Sequence, residues 1–394
     1  MKILFIVHSV SYKGGGAFFH ALQIAKGMKK LNHTVSILST SQKGCLNFKT
    51  SYIENGIELL ESPDILGGKA RNGWDLYNVF RRILLLNNRN YDLTYCLDCR
   101  PVVIFPGLFM KFFKKSKLII EWLDLFGRGG TASERSYFIK MFMKHIEQFF
   151  EESFRKFADG SVILGEQLYN RAVKMGLNKK NIIKIFHGCD IDDCKQLNKK
   201  IMRKKYKYDE HDKIIGYLGQ MRNSTADLLF ETFELFHKNN YNYNLLLIGN
   251  HKITDLNNRL ININKSLFRE TGWISKVHLQ EYLSIVDICI LPFKKSISTN
   301  NIWPSKINDY LTSGKPIVAT NLAVIERMFI DNNIGILSDD NPKSFIKNIN
   351  IMFKNKDLIK MGRNSQNLAK NKFHWDNINN KLDKFFYKVI KGER

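Results

Sequence analysis

Short apolar runs alternate with amphipathic stretches along the chain. The first run, Ile3 to Val7, has the length and the branched residues of a strand buried on both faces of a parallel sheet. After a glycine loop, apolar residues recur at helical intervals, which predicts a helix through Phe18, Leu22, Ala25, Met28 and Leu31. The next strand is predicted at 34–38. Such a strand, helix and strand form a βαβ unit, which builds a parallel sheet.

The same pattern continues and then restarts. Further strands are predicted at 93–97, 118–120 and 161–164. The second series has a helix at 226–237 and strands at 213–218, 245–248, 288–291, 315–319 and 334–337. Two α/β series of comparable length predict two Rossmann-like, doubly wound domains that face each other.

The length of 394 residues also suggests two domains, at roughly 100–200 residues each. Apolar periodicity gives way to a charged stretch near 186–200. We therefore predict an N-terminal domain at 1–186, a C-terminal domain at 187–374, and a last amphipathic helix at 375–394.

The charge is strongly basic, with 61 Lys and Arg against 37 Asp and Glu. Such a balance favours anionic partners, namely nucleic acid, a phospholipid surface or a phosphorylated substrate. The chain is also rich in Asn, Ile and Lys, as AT-rich coding would give, so charge alone decides little. A nucleic-acid-binding protein would need a clustered basic face or interleaved stacking aromatics, and no nucleic acid partner is expected.

No apolar run reaches the ~18–20 residues that span a bilayer. The apolar start is short and runs into glycines, so we expect a first strand and not a signal peptide, and a cytoplasmic protein. Two stretches, 108–115 and 138–157, mix aromatic residues with lysine. Either they lie on an anionic membrane leaflet, which would place the protein peripherally on the inner face of the membrane, or they are core helices.

Metal binding is not expected. Cys96 and Cys99 have CxxC spacing, but no second pair or suitable histidines follow, so reduced structural thiols are expected. Asp190-Ile191-Asp192 spells a metal-binding DxD, but it lies at the domain junction and is predicted to be a cap. No other cofactor is expected.

Two segments have the chemistry of an anion site. The loop Gly14-Gly15-Gly16 precedes a helix and lets the backbone approach a phosphate, although a plain tight turn is the alternative. It lacks GxGxxG spacing, and Ser39-Thr40-Ser41 stands where a dinucleotide fold needs an acidic residue.

In the second segment, Pro304 and Ser305 suit a helix start. Lys306, Asp309 and Tyr310 are spaced to share one face of that helix. The lysine and the carboxylate can then hold a diphosphate and a ribose, unless they form an ordinary ion pair on a solvated helix start.

The second half contains five characteristic segments in this order: Thr271-Gly272-Trp273-Ile274, Tyr282 to Asp287, Ile290-Leu291-Pro292-Phe293, Pro304 to Tyr310, and Gly314 to Thr320. At the front stand the first strand, the glycine loop, the helix, and His33 before Val35. In order and spacing, the chain resembles the retaining family-4 glycosyltransferases over nearly its whole length. The resemblance implies a GT-B fold, in which a nucleotide-sugar donor lies in the cleft and is held mostly by the second domain. It also implies that the last helix crosses back onto the first domain.

The resemblance assigns donor-binding roles. Asp309 stands where the family has a glutamate that holds the ribose, and Asn301 where it has one near the donor sugar. Gln220 and Ala226 replace the family's basic pair, so Arg222 with Lys306 is expected to neutralise the diphosphate; the alternative for Arg222 is a surface arginine. The predicted donor-binding residues are Gly15, Gly16, Gly219, Arg222, Trp273, Asn301, Ser305, Lys306 and Asp309.

In the first domain, many relatives have a histidine after the strand at 118–120, where this chain has Glu121 and Asp124. Carboxylates there can accept an acceptor proton or orient the sugar, and Arg128 between glycines can reach a phosphate. The alternative is that Asp124 forms a turn or pairs with Arg128. Glu121, Asp124 and Arg128 are the predicted catalytic residues. His8 and His187 end strands, and a structural role is favoured for both.

These observations predict a metal-independent, retaining glycosyltransferase of the hexosyltransferase type. Its partners would be a nucleoside-diphosphate sugar and a glycan or lipid-linked acceptor in surface polysaccharide assembly. A catalytically weak or inactive relative that binds nucleotide or glycan is the alternative, favoured by Asn301 and the lost basic residue.

Overall fold

A computed structural model describes residues 1–12, 16–41, 47–63, 73–125, 127, 130, 137–191, 197–219, 221, 223–250 and 265–392. It comprises two compact units. The first holds residues 1–187, 301–303 and 375–394, and the second holds 188–300 and 304–374. Each contains one sheet of mainly parallel strands.

The sheet of the first unit has eight strands in the order β3-β4-β2-β1-β5-β6-β7-β8, and the pair β3–β4 is antiparallel. They are β1 (Lys2–Val10), β2 (Thr34–Thr40), β3 (Lys49–Ile53), β4 (Ile57–Ser62), β5 (Leu93–Cys96), β6 (Lys117–Trp122), β7 (Gly160–Ile163) and β8 (Ile182–Lys184). The helices are α1 (Gly16–Lys30), α2 (Leu76–Asn87), α3 (Pro101–Lys114), α4 (Tyr137–Ser153) and α5 (Gly165–Lys174), with a 3₁₀ turn at Phe154–Phe157. The direction in which successive strands are added to the sheet reverses between β1 and β5. We call this point the strand-order turn, and it is where a doubly wound sheet binds ligands.

The sheet of the second unit is fully parallel, with six strands in the order β11-β10-β9-β12-β13-β14. They are β9 (Lys213–Leu218), β10 (Tyr243–Ile248), β11 (Phe268–Glu270), β12 (Ile288–Leu291), β13 (Ile317–Thr320) and β14 (Gly335–Ser338). The helices are α6 (Lys199–Lys205), α7 (Asn223–Lys238), α8 (Lys276–Ile285), α9 (Ile297–Asn301), α10 (Lys306–Thr312), α11 (Glu326–Asn332), α12 (Pro342–Lys354) and α13 (Leu358–Leu368). Here the strand order turns between β9 and β12.

The last helix, α14 (Trp375–Lys391), is part of the core of the first unit. Leu382 and Phe386 are fully buried against side chains of β1 and β5. The helix approaches α1 so closely that a Cβ on Gly27 would meet the Asn379 side chain at 1.9 Å. His33 Nε2 also lies 2.7 Å from an Asp383 carboxylate oxygen.

The predicted fold class is confirmed, including the return of the last helix to the first unit. The strands predicted at 213–218 and 288–291 match β9 and β12 residue for residue. Four strands were not predicted: β3, β4, β8 and β11. In β3 most side chains are exposed or half-buried, and β8 and β11 have three residues each, so they lack long apolar runs.

Candidate functional site

A lysine lies over the end of the central strand of the second sheet. β9 ends at Leu218, and Gly219 follows with φ of +93°. Lys306, the first residue of α10, approaches so closely that a Cβ on Gly219 would lie 3.0 Å from its Cε. Its ammonium nitrogen lies 4.9 Å from the centre of the Tyr217 ring and 5.8 Å from that of Phe293. A cation therefore stands at the strand-order turn of a doubly wound sheet, where ligands of such folds bind.

Tyr310 fixes α10 on this edge of the sheet. Its side chain is fully buried, and its hydroxyl accepts a hydrogen bond from the Leu218 backbone N–H at 2.8 Å. The same hydroxyl donates to the carbonyl of Ile290 at 3.3 Å. Burial raises the pKa of Tyr310 well above its ordinary value, so the hydroxyl keeps its proton. Because Tyr310 joins α10 to both β9 and β12, Lys306 is positioned by the sheet itself.

The predicted roles of Ser305 and Tyr310 need correction. Ser305 has right-handed helical angles, φ −50° and ψ −29°, and its side chain makes no capping hydrogen bond. A capping serine needs extended angles, so the prediction that it satisfies the helix start is wrong. Tyr310 points into the core and does not lie on the accessible face of α10, whereas Asp309 is exposed.

The other predicted donor-binding residues are spread over both units. Trp273 is 81% exposed after β11. Asn301 groups with the first unit, whose Phe186 packs on the ring of the nearby Trp303 at 4.8 Å. Gly16 is the exposed first residue of α1. Gly15, Arg222 and the predicted catalytic Arg128 lie outside the described residues, so Lys306 and Gly219 are the predicted pair that the structure brings together.

A second polar cluster lies at the strand-order turn of the first unit. His8 Nδ1, near the end of β1, is 2.5 Å from Asp98 Oδ2, just after β5. Asp98 Oδ1 accepts from the Arg100 backbone N–H at 2.9 Å. Burial lowers the pKa of His8, and the Arg100 charge adds to the shift. Burial alone would raise the pKa of Asp98, but His8 and Arg100 hold it below its ordinary value. His8 thus has the structural partner that its sequence context suggested.

Asp124 belongs electrostatically to the same cluster. Burial raises the pKa of this carboxyl to about 6, and Glu151 and Glu121 act in the same direction while Arg100 opposes them. A carboxyl that titrates near neutrality can hold or release a proton under working conditions, which is the property of a general acid or base. The catalytic role of Asp124 stays a prediction.

Glu121 is held inside the first unit. It is 1% exposed, and its carboxylate lies 2.9 Å from His20 Nε2. The other ring nitrogen of His20 lies 3.0 Å from His187 Nδ1. Burial lowers the pKa of His187 well below its ordinary value, and the His20 charge adds to this. Glu121 therefore orients a pair of imidazoles, and its catalytic role also stays a prediction.

Sequence reasoning did not single out Asp98, Arg100 or His20. Asp98 and Arg100 follow β5, which pairs with β1 at the strand-order turn. The βαβ pattern contained this signal, because the carboxyl ends of neighbouring parallel strands meet at one edge. The sequence gave no comparable sign of a role for His20, because its position in the predicted helix indicates only that the side chain faces inward.

The cysteines of the CxxC segment are buried in the first unit. Burial raises the pKa of Cys96 well above its ordinary value and that of Cys99 to about 12. Both are free thiols in the structure, as expected from sequence. Across the described parts of the chain, no three His, Cys, Asp or Glu side chains are grouped as metal ligands would be. Of the two aspartates in the DxD segment, Asp190 follows Cys189, whose backbone forms a parallel β-bridge with His374. Asp192 lies outside the described residues.

The first unit also exposes an aromatic face, formed by Phe112, Phe113, Phe149 and Phe157, each at least 45% exposed. The rings of Phe112 and Phe157 are 6.1 Å apart, so α3 and the turn after α4 form one surface. Lys115 and Lys156, which are near Phe113 and Phe157 in the sequence, are also exposed. No helix within the described residues is long and apolar enough to cross a bilayer.

Residues 212–355, which include the whole Gly219 and Lys306 edge, match the family model Glycosyl transferases group 1. This segment is similar to members of that family. The chain is also similar to a curated glycosyltransferase. The chain is 32% identical over 76 residues to TuaH of Bacillus subtilis (strain 168), whose name assigns it to teichuronic acid biosynthesis; the match spans 19% of each protein.

Solved structures extend the likeness to the whole chain. Sucrose-phosphate synthase from Thermosynechococcus elongatus has a TM-score of 0.75 at 13% identity over 99% of both chains. HepE from Anabaena, in complex with UDP, has a TM-score of 0.72 at 15% identity over 98% of this chain and 100% of that one. The segment that matches the group 1 model thus lies within a GT-B fold.

Proposed function

We propose that this protein is a glycosyltransferase that moves a sugar from a nucleoside-diphosphate sugar to an acceptor. The observation that carries the proposal is Lys306 over Gly219 at the end of β9, inside the segment that matches the group 1 family. An ammonium there can stabilise the negative charge that develops on a departing diphosphate. The complexes of HepE with UDP and with UDP-glucose make uridine nucleotides the first donors to examine.

The transfer proceeds with retention and without a metal. Lys306 neutralises the leaving diphosphate, and the acceptor attacks from the side on which that group departs, so the new bond keeps the donor's anomeric configuration. Asp309, exposed on α10, holds the ribose, and Asn301 hydrogen-bonds the donor sugar. In the first unit, Asp124 accepts or orients the acceptor proton, because its pKa of about 6 lets it change protonation near neutral pH.

The acceptor is a glycan or lipid-linked glycan of a surface polysaccharide, and the protein works at the inner face of the membrane. TuaH, named for teichuronic acid biosynthesis, supports this acceptor class. The aromatic face supports the location, since exposed Phe112 and Phe113 beside lysines suit an anionic leaflet. The net charge of +24 acts in the same direction.

The decisive experiment screens UDP-, GDP- and ADP-sugars by thermal shift, then measures hydrolysis and transfer for those that stabilise the protein. We expect one nucleotide class to raise the melting temperature and to be turned over without added metal and in the presence of EDTA. Proton NMR of the product reads the anomer. Protection without turnover would support the inactive binding relative instead. No protection by any nucleotide would reject both.

A further inference from the structure

The described part of the first unit contains three pairs of a histidine and a carboxylate: His20 with Glu121, His33 with Asp383, and His8 with Asp98. In the first two pairs both ring nitrogens of the histidine have a partner, and the histidine side chains are at most 4% exposed. The His8 side chain is 15% exposed, and only its Nδ1 has a partner among the described residues. His8 thus differs from the two structural histidines, because one of its ring nitrogens is available to a ligand.

The position of His8 suits contact with a ligand. It lies near the end of β1, and Asp98 follows β5, so the pair stands at the strand-order turn of the first sheet, where doubly wound folds bind ligands. Thr40 of β2 donates from its hydroxyl to the carbonyl of His8 at 3.2 Å. A Cβ on Gly73 would lie 3.0 Å from that of His8, so the chain before α2 packs on the stem of the side chain. The ring is therefore held from two sides.

Asp98 determines which nitrogen of His8 carries the proton. This carboxylate is 3% exposed, and its Oδ1 accepts from the Arg100 backbone N–H at 2.9 Å, which leaves Oδ2 at 2.5 Å from His8 Nδ1. A carboxylate on Nδ1 keeps the proton there and leaves a lone pair on Nε2. Burial and the charges of Arg100 and Arg82 lower the pKa of His8, while Asp98 raises it. Because the balance is a lowered pKa, the imidazole is neutral near pH 7 and can accept a proton.

We propose that Nε2 of His8 accepts the proton of the attacking acceptor hydroxyl, with Asp98 as its positioning residue. The hydroxyl oxygen bonds to the anomeric carbon of the donor sugar, and the bond from that carbon to the diphosphate oxygen breaks. The nucleoside diphosphate leaves with the electron pair, and the proton moves to Nε2. The Asp98 carboxylate stabilises the imidazolium that forms. This role rests on the proposed function, and it leaves Asp124 to orient the hydroxyl.

The test measures kcat and KM against pH for the donor found in the screen, with water as the acceptor hydroxyl. His8→Gln should lower kcat about a hundredfold or more and leave the thermal shift by the nucleotide unchanged. Wild-type activity should fall as the pH drops through the pKa of His8, below the ordinary imidazole value, and His8→Gln should lack this acid limb. His237→Gln, at an exposed residue of α7, is the matched control and should behave as wild type does.

Two further variants separate a chemical role of His8 from a structural one. Asp98→Asn should move the acid limb to lower pH, because the Asp98 charge raises the pKa of His8. Imidazole added to His8→Ala should restore part of the activity, which a purely structural histidine would not allow.

The proposal is overturned if His8→Gln keeps the wild-type rate and pH profile. It is also overturned if the acid limb persists in His8→Gln but disappears in Asp124→Asn, since Asp124 would then be the base. Both results leave the glycosyltransferase proposal intact. A wild type that turns over no nucleotide sugar would reject the proposed function and this role together.

Discussion

A Cβ on Gly219 would lie 3.0 Å from Cε of Lys306, so the glycine makes room for the lysine. Gly219 also has φ of +93°, which disfavours any side chain. Gly176 has a similar φ of +87° but nothing within 4 Å of its added Cβ, which makes it a matched control. Gly219→Ala and Gly176→Ala should each lose about 1–3 kcal/mol of stability through backbone strain.

Only Gly219→Ala should weaken nucleotide binding, because only there does the new methyl displace Lys306. Thermal melts give the stability of both variants, and calorimetric titration of the nucleotide gives the affinity. Equal nucleotide affinity in the two variants would contradict the role assigned to this contact.

Lys306 itself should contribute mainly to the chemical step. Lys306→Gln removes the charge near the departing diphosphate, and we expect turnover to fall about 10²–10³-fold. Lys347→Gln makes the same change at an exposed residue of α12 and should be neutral. Steady-state rates with the donor found in the screen measure both. A loss confined to KM would mean that Lys306 binds the ground state and the transition state equally.

Asp124 should show opposite effects on stability and activity. Its pKa of about 6 lies above the unfolded value near 3.8, so the folded state holds the proton more tightly. Stability is therefore greatest below about pH 4 and falls as pH rises through 6. Asp124→Asn is neutral at every pH. It should melt higher than wild type at pH 7.5, match it most closely below about pH 4, and lose transfer activity. Increased stability with full activity would remove Asp124 from the mechanism.

The aromatic face should govern vesicle binding. Replacing Phe112 and Phe113 together by Ser removes two of its exposed rings and should abolish flotation with anionic phosphatidylglycerol vesicles. Tyr52, which is 75% exposed like Phe113, lies on the edge strand β3 and serves as the control through Tyr52→Ser. Binding should also decline in high salt and with neutral phosphatidylcholine vesicles. Failure of the wild type to float would reject the membrane proposal.

Phe386 should be needed for the stability of the first unit, where it is fully buried against Tyr95 at a ring distance of 5.6 Å. Phe386→Ala should cost about 3–5 kcal/mol, since the cavity lies in a packed core. Lys384→Ala, an exposed change on the same helix, should cost little. Denaturant unfolding followed by circular dichroism compares the two variants. Equal midpoints would show that α14 does not support the first unit.

Strand positions were predictable wherever burial on both faces gave long apolar runs, as in β9. The polar edge strand β3 gave no such run. The position of Lys306 at the start of a helix followed from a family motif. The contact that holds this helix against the sheet did not, because the hydrogen bond between Tyr310 and Leu218 joins residues 92 positions apart. Ser305 misled because its residue type suits a cap, while its backbone angles, set by the chain's path from Pro304, do not.

Because α14 is part of the core of the unit that contains β1, the ribosome completes this unit only after residues 188–374 have been synthesised. Everything from 188 to 374, apart from 301–303, emerges between its two parts and can fold earlier. Until residue 391 is released, the surface around Gly27, Tyr95 and Gly160 lacks its cover. The nascent chain thus presents apolar surface to chaperones throughout most of its synthesis.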